Sequence, residues 1–284
     1  MNLGEAFAEL RPAMLALAYR ITGSRSDAED IVQDAYLRLH DASPKEAILS
    51  LKAYLATITA RLSLNRLRDQ KALRETYLGE WLPEPMPTVA DPRLRAEDVS
   101  FALLVLLERL SPTERVVFVL RNAFELSFAE IAEVVQRDAV TCRKIFSRAR
   151  ERVLNERARF PVDRERHLAL LRGFAEAARD ADVERLVSLL DDRAELHGDA
   201  AGRPPANKRP VIGGLAVARF VIAVTRTLPA DAKLEEVELN GLPALFFSAG
   251  GRPFAAIMIE TDGERIRSVF AVAAPEKLAG MARG

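Results

Sequence analysis

Two stretches of this chain carry hydrogen-bond donors and positive charge at helical spacing. The first runs from Phe124 to Val153, FELSFAEIAEVVQRDAVTCRKIFSRARERV. Arg137, Thr141, Arg143, Lys144, Ser147, Arg148 and Arg150 fall outside an apolar seam of Cys142, Ile145, Phe146, Ala149 and Val153. From Arg137 to Arg159 there are eight basic and three acidic residues, a net charge of +5. The second runs from Ser50 to Arg74, where Lys52, Arg61, Arg66, Arg68, Lys71 and Arg74 oppose only Asp69, again +5. Thr57, Thr59, Ser63 and Asn65 interleave uncharged donors. Guanidinium, ammonium, hydroxyl and amide groups in such rows suit phosphate oxygens and base edges. Each face read alone also suits a solvated helix. Two of them in a chain with 41 basic and 41 acidic residues favour nucleic acid, because the charge is concentrated where it would be used.

Two smaller groups bear on chemistry. Asp27, Glu29, Asp30 and Asp34 lie on one side of a helix. Three of them fall in its first turn, where the helix dipole favours acids, but Asp34 lies beyond it. A surface for a basic protein partner is the functional reading. Glu195, His197 and Asp199 alternate along a strand and so share one face. They form a conceivable acid/base constellation for an isomerase or hydrolase.

The elements that must position these groups are legible. Residues 3–22 are apolar at helical spacing and end near Gly23. Ser26 with Glu29, Ser111 with Glu114 and Ser127 with Glu130 read as capping boxes opening helices. The helix begun near Ser50 has an expected apolar stripe of Leu51, Tyr54, Leu55, Ile58 and Leu62. Leu126 and Ile131 can staple the start of the Ser127 helix. Gln136-Arg137-Asp138 makes a tight turn, with Asp138 capping the next helix. This is the pattern of a helix-turn-helix. Between Glu75 and Asp98, Pro83, Pro85, Pro87 and Pro92 exclude regular helix and stiffen a linker. Tyr77, Leu78, Trp81 and Leu82 make that linker too apolar for a solvated tether, so Trp81 is expected to be mostly buried against the C-terminal domain. After Pro161 come helices around 168–178, 183–190 and 215–227. Strands follow at 194–197, 236–239, 244–247, 254–259 and 266–273, with Asn240-Gly241 and Asp262-Gly263 as hairpin turns. The predicted class is multidomain. Two all-α domains precede an α+β domain with a curved sheet around helices. The divisions expected are 1–74, 75–98, 99–160 and 161–284.

At 284 residues the chain has room for several cores. A single cysteine, Cys142, and three scattered histidines leave no zinc spacing, and neither a metal nor a cofactor is expected. The start has neither the basic region nor the apolar run of a signal peptide. No stretch approaches a membrane span, so a soluble cytoplasmic protein without membrane contact is the expectation.

The order of DAEDIVQDAYLRL (27–39), AYLATITARLSLNRLR (53–68) and EIAEVVQRDAVTCRKIFSRAR (130–150) resembles regions 2 and 4 of a bacterial extracytoplasmic-function sigma factor. The segment RETYLGEWLPEP (74–85) resembles the linker of a subgroup that carries a SnoaL-like cone-shaped barrel after region 4. The resemblance implies a non-enzymatic protein that binds core RNA polymerase and promoter DNA. It assigns Asp27, Glu29, Asp30 and Asp34 to the polymerase. It assigns Thr57, Arg61, Asn65, Arg66, Arg68 and Lys71 to the start-proximal (−10) element. Arg137, Thr141, Arg143, Lys144, Ser147 and Arg148 go to the upstream (−35) element. It further implies intramolecular regulation by Trp81, Leu82, Pro83, Glu84 and Pro85 of the linker, Asp199, Gly202 and Arg203 of a DGGGK-like pattern, and Pro275, Lys277 and Leu278 of an NPDKL-like pattern. Ala200 and Ala201 stand where that pattern has glycine, and Gln136 stands where the helix-turn-helix turn usually has one. A ligand of the barrel is left unknown. The alternative reading is a stand-alone helix-turn-helix regulator with a ligand-sensing C-terminal domain.

Overall fold

The computed structural model describes residues 3–41, 50–88, 99–156, 163–203 and 209–281. The chain groups into two compact units. One holds the helices before residue 76 and those between 103 and 157; the other holds Thr76–Val89, Ser100–Ala102 and everything from Ala158. The apolar linker residues thus pack with the C-terminal part, while the two cationic segments share one unit. Residues 89–98, the end of the expected linker, lie outside the described residues.

In the helical unit, α1 (Leu3–Thr22), α2 (Arg25–Asp41) and α3 (Leu51–Glu75) pack against one another. Then come α4 (Phe101–Glu108), α5 (Pro112–Ala123), α6 (Phe128–Val135) and α7 (Ala139–Glu156). One core runs through both groups, from Met14, Leu17 and Leu55 to Val116, Ile131 and Cys142. Arg115 sits inside it. Its guanidinium donates to the Ile21 carbonyl at 2.8 Å and pairs with both oxygens of Glu108 at 2.8 and 2.7 Å. The pair ties the end of α4 to the start of α5, and the bond to Ile21 ties in the end of α1.

Both later capping boxes form, Ser111 with Glu114 and Ser127 with Glu130. The first expected box does not. The α2 helix starts one residue before Ser26, and Ser24 Oγ accepts the Asp27 N–H at 3.2 Å. The α3 stripe also differs from expectation. Leu55, Ala56, Thr59, Ala60, Ser63, Leu64 and Leu67 are the buried positions, with Ile58 and Leu62 only half-buried. Because α3 packs against α1, α2, α5 and α6, small residues are favoured where backbones approach. Ser63 Oγ accordingly donates back to the Thr59 carbonyl at 2.8 Å.

The C-terminal unit places α8 (Arg164–Arg179), α9 (Val183–Leu189) and α10 (Gly214–Thr225) against a six-stranded sheet. Its strands are β1 (Leu190–Asp199), β2 (Val211–Ile212), β3 (Lys233–Leu239), β4 (Leu242–Ala249), β5 (Arg252–Thr261) and β6 (Ile266–Val272). The order is β2-β1-β6-β5-β4-β3, with β1 and β6 parallel and the other neighbours antiparallel. Asn240 and Gly241 both take positive φ, 53° and 79°, as a tight β3–β4 hairpin requires. A short α11 (Pro275–Leu278) follows β6.

Candidate functional site

The helix-turn-helix is assembled from its caps outward. Asp138 accepts from the Thr141 N–H at 2.8 Å and from its hydroxyl at 2.5 Å, and these bonds hold the Asp138 carboxyl below its usual range. Gln136 closes α6 in the left-handed region (φ 55°, ψ 54°). Glycine occupies such a position without strain; glutamine does not. On α7, Arg143, Lys144, Ser147, Arg148 and Arg150 are exposed while Cys142, Ala149 and Val153 are buried. Arg143 is seated 5.3 Å over the Phe128 ring, which fixes its stem on α6.

On α3 the expected donors divide. Arg61, Asn65 and Arg68 are exposed and Thr57 is half-buried, but Thr59 and Ser63 are fully buried and unavailable to a ligand. Arg66 turns toward α2, 3.4 Å from Asp27 and 3.9 Å from Asp30. Asp27 also accepts Gln70 Nε2 at 2.7 Å, so it holds α2 to α3. The open acidic face of α2 is therefore Glu29, Asp30 and Asp34, with Glu29 paired to Arg25. The side chain of Lys71 lies outside the described residues. Arg61, Asn65 and Arg68 line a small cavity together with Val134, Val135 and Gln136, and Arg61 donates to the Glu133 carbonyl at 2.9 Å.

In the second unit, the linker is held by the residues the sequence patterns singled out, joined by several they did not. Asp199 is 1% exposed. It accepts the Tyr77 hydroxyl at 2.6 Å, the Leu82 N–H at 3.0 Å, the Ala201 N–H at 3.2 Å and Lys277 Nζ at 2.5 Å. Lys277 also donates to the Leu82 carbonyl and sits 3.5 Å from the Trp81 ring centroid, close enough for a cation–π contact. Burial first, then the Asp199 carboxylate, pushes the Tyr77 hydroxyl well above the usual phenol range. Leu82, Pro83, Glu84, Pro85 and Leu278 are buried. Trp81 is mostly buried, as expected, with its ring edge-on to Tyr77. Arg203 and Pro275 are exposed.

The alternation of Glu195, His197 and Asp199 puts them on one face, and that face receives the linker. His197 joins Glu80 at 2.6 Å through Nδ1 and Glu195 at 3.1 Å through Nε2, and it stacks on Phe270. The trio is engaged in holding a chain segment rather than gathered around a substrate space. Further on, the Met86 carbonyl accepts the Asn240 N–H at 2.8 Å, and Asn240 Oδ1 accepts the Met86 N–H at 3.1 Å. Glu80 and Met86 are not marked by any sequence pattern, and Tyr77 and Asn240 are marked only as linker bulk and as a hairpin turn. The polar and aromatic content of 77–81 was the available signal.

Among the described residues, no group of three or more His, Cys, Asp or Glu could hold a metal ion, and no helix is long and apolar enough to cross a membrane.

A capped helix-turn-helix, a second cationic helix in the same unit and an acid-faced helix beside it define the class of a DNA-binding protein with a face for a basic partner. Residues 6–73 match the Sigma-70 region 2 family and residues 100–153 the Sigma-70 region 4 family. The chain is 36% identical over 291 residues to the ECF RNA polymerase sigma factor SigJ of Mycobacterium tuberculosis, covering 96% of this chain and 92% of that protein. It is 34% identical over 210 residues to the probable ECF RNA polymerase sigma factor SigI of the same species, covering 72% and 70%. The crystal structure of SigJ superposes with a TM-score of 0.76 at 33% identity, covering 98% of this chain and 99% of that one. The protein belongs to the ECF RNA polymerase sigma factors, which direct promoter recognition.

Proposed function

We propose that this sigma factor works in the cytoplasm on core RNA polymerase and a two-part promoter, and that its own SnoaL-like domain sets its activity through the linker. Exposed Glu29, Asp30 and Asp34 face the polymerase. Thr57, Arg61, Asn65 and Arg68, with Lys71, hold the start-proximal element as single strand by phosphate anchoring and polar contacts to bases. Arg137, Thr141, Arg143, Lys144, Ser147 and Arg148 serve the upstream element. Arg61, Asn65 and Arg68 front the end of α6, so engaging both elements requires that face to be released.

The observation that carries the regulatory part is the buried Lys277–Asp199 pair, which closes on the Leu82 backbone and the Trp81 ring. A domain that merely trailed the DNA-binding helices would have no need to bury a charge pair against their connecting segment. The test is transcription from a promoter library by reconstituted holoenzyme, comparing the wild-type chain with Trp81→Ala. Changed output at unchanged melting temperature supports the linker's role; unchanged output and melting remove it. Arg148→Ala is expected to weaken a promoter by about 1–3 kcal/mol if the side chain reads a base edge, with relaxed preference at one position. A phosphate contact would instead weaken all sequences alike.

A further inference from the structure

The C-terminal sheet, α8 and α10 line a partly open cavity of about 300 Å³. Its walls are hydrocarbon, with Phe174, Phe220, Phe247 and Phe254 supplying four aromatic faces. Among the described residues, Thr225 and Arg179 are the polar side chains that reach it, and both are engaged. The Thr225 hydroxyl donates to the Val221 carbonyl at 2.9 Å. Arg179 stands at the rim, its side chain 74% exposed and 3.1 Å from Asp180. A ligand seated there would remove this apolar wall from water, which is favourable in proportion to the area covered. Water entering it would find few partners.

We infer that this cavity is a binding site for an uncharged, largely hydrocarbon small molecule about the size of two or three fused or linked rings. An ionised head deep inside would lose its hydration, and the lining charge, Arg179, stands at the rim and is already paired with Asp180. The walls are made by the strands that hold the linker on their other side. On β1, Leu196 lines the cavity while His197 bonds Glu80. On β6, Val269 and Ala271 line it while Phe270 stacks on His197. The site is distinct from the linker seat and does not rest on the promoter-binding assignments.

The probe is 1-N-phenylnaphthylamine, a neutral two-part aromatic whose fluorescence rises in apolar surroundings, titrated into the full-length chain. Saturable binding of one molecule per chain, with a Kd of about 10 µM or tighter, is expected. Ala255→Phe and Ala175→Phe each put a ring into the cavity from opposite walls and should weaken binding at least about tenfold while melting within about 3 °C of wild type. Two variants are specified so that one folded protein suffices. 1-Anilinonaphthalene-8-sulfonate, similar in shape but anionic, should bind at least about tenfold more weakly. A wild-type signal without saturation, or a folded variant binding as wild type, overturns the site. Equal affinity for the sulfonate overturns the uncharged ligand class.

Discussion

Lys277 Nζ lies 2.5 Å from Asp199 Oδ2 with both side chains almost wholly buried. These residues come from the last helix and from the end of β1, and the linker backbone and the Trp81 ring complete the enclosure. A charge pair so enclosed adds little net stability over an apolar replacement, but losing one partner leaves the other uncompensated. Lys277→Met is therefore expected to destabilise the C-terminal unit by about 3–5 kcal/mol in urea unfolding followed by Trp81 fluorescence. Adding Asp199→Asn should recover part of the loss. A single variant as stable as wild type would remove the pair from any role in seating the linker.

Backbone conformation predicts opposite signs at adjacent residues. Ala201 has φ 50° and Gly202 has φ 75°. A Cβ on Gly202 would meet Leu78 Cβ at 2.7 Å. Ala201→Gly should stabilise by up to about 1 kcal/mol, whereas Gly202→Ala should cost about 1–3 kcal/mol and shift the linker. Gln136→Gly, at the left-handed residue between α6 and α7, should likewise stabilise the helical unit by up to about 1 kcal/mol. Denaturant midpoints measure all three; a destabilising Gln136→Gly would show that its side chain contributes more than the strain costs.

His167 supplies a pH dependence. It is 1% exposed on α8, its Nε2 donates to the Pro243 carbonyl at 3.1 Å, and its Nδ1 is buried with no hydrogen-bond partner among the described residues. Burial lowers its pKa from the ordinary value of 6.5. A folded-state pKa below the unfolded one means that the unfolded chain takes up the proton first. The stabilising contribution is then present above pH 6.5 and declines as the pH falls through the folded value. Unfolding free energy of the wild type should drop below that pH, and His167→Gln should flatten that part of the profile. A profile unchanged by the substitution would assign the acid sensitivity elsewhere.

Local signals carried far in this chain. Ser111, Ser127 and Asp138 cap where their spacing requires, because capping involves only neighbours three residues apart. Asn240-Gly241 turns the hairpin for the same reason. The cationic outer face of α7 followed from period alone. Ser26 was the exception, since Ser24 two residues earlier offers the same hydroxyl and took the cap.

What the sequence by itself determined was most of the elements, the family and the donor-rich faces, all properties of short windows; the two-residue β2 and the four-residue α11 are too short to show a period. Tertiary structure decided which donors remain free. Thr59 and Ser63 are buried because α3 has helices on several sides, and Arg66 is drawn to Asp27 on a neighbouring helix. It also turned Glu195, His197 and Asp199 from a conceivable catalytic set into the seat of the linker. Strand alternation fixes a common face, but only the packed chain determines what lies against it. Those partners are 117 residues away along the chain, and no local pattern encodes a contact at that separation.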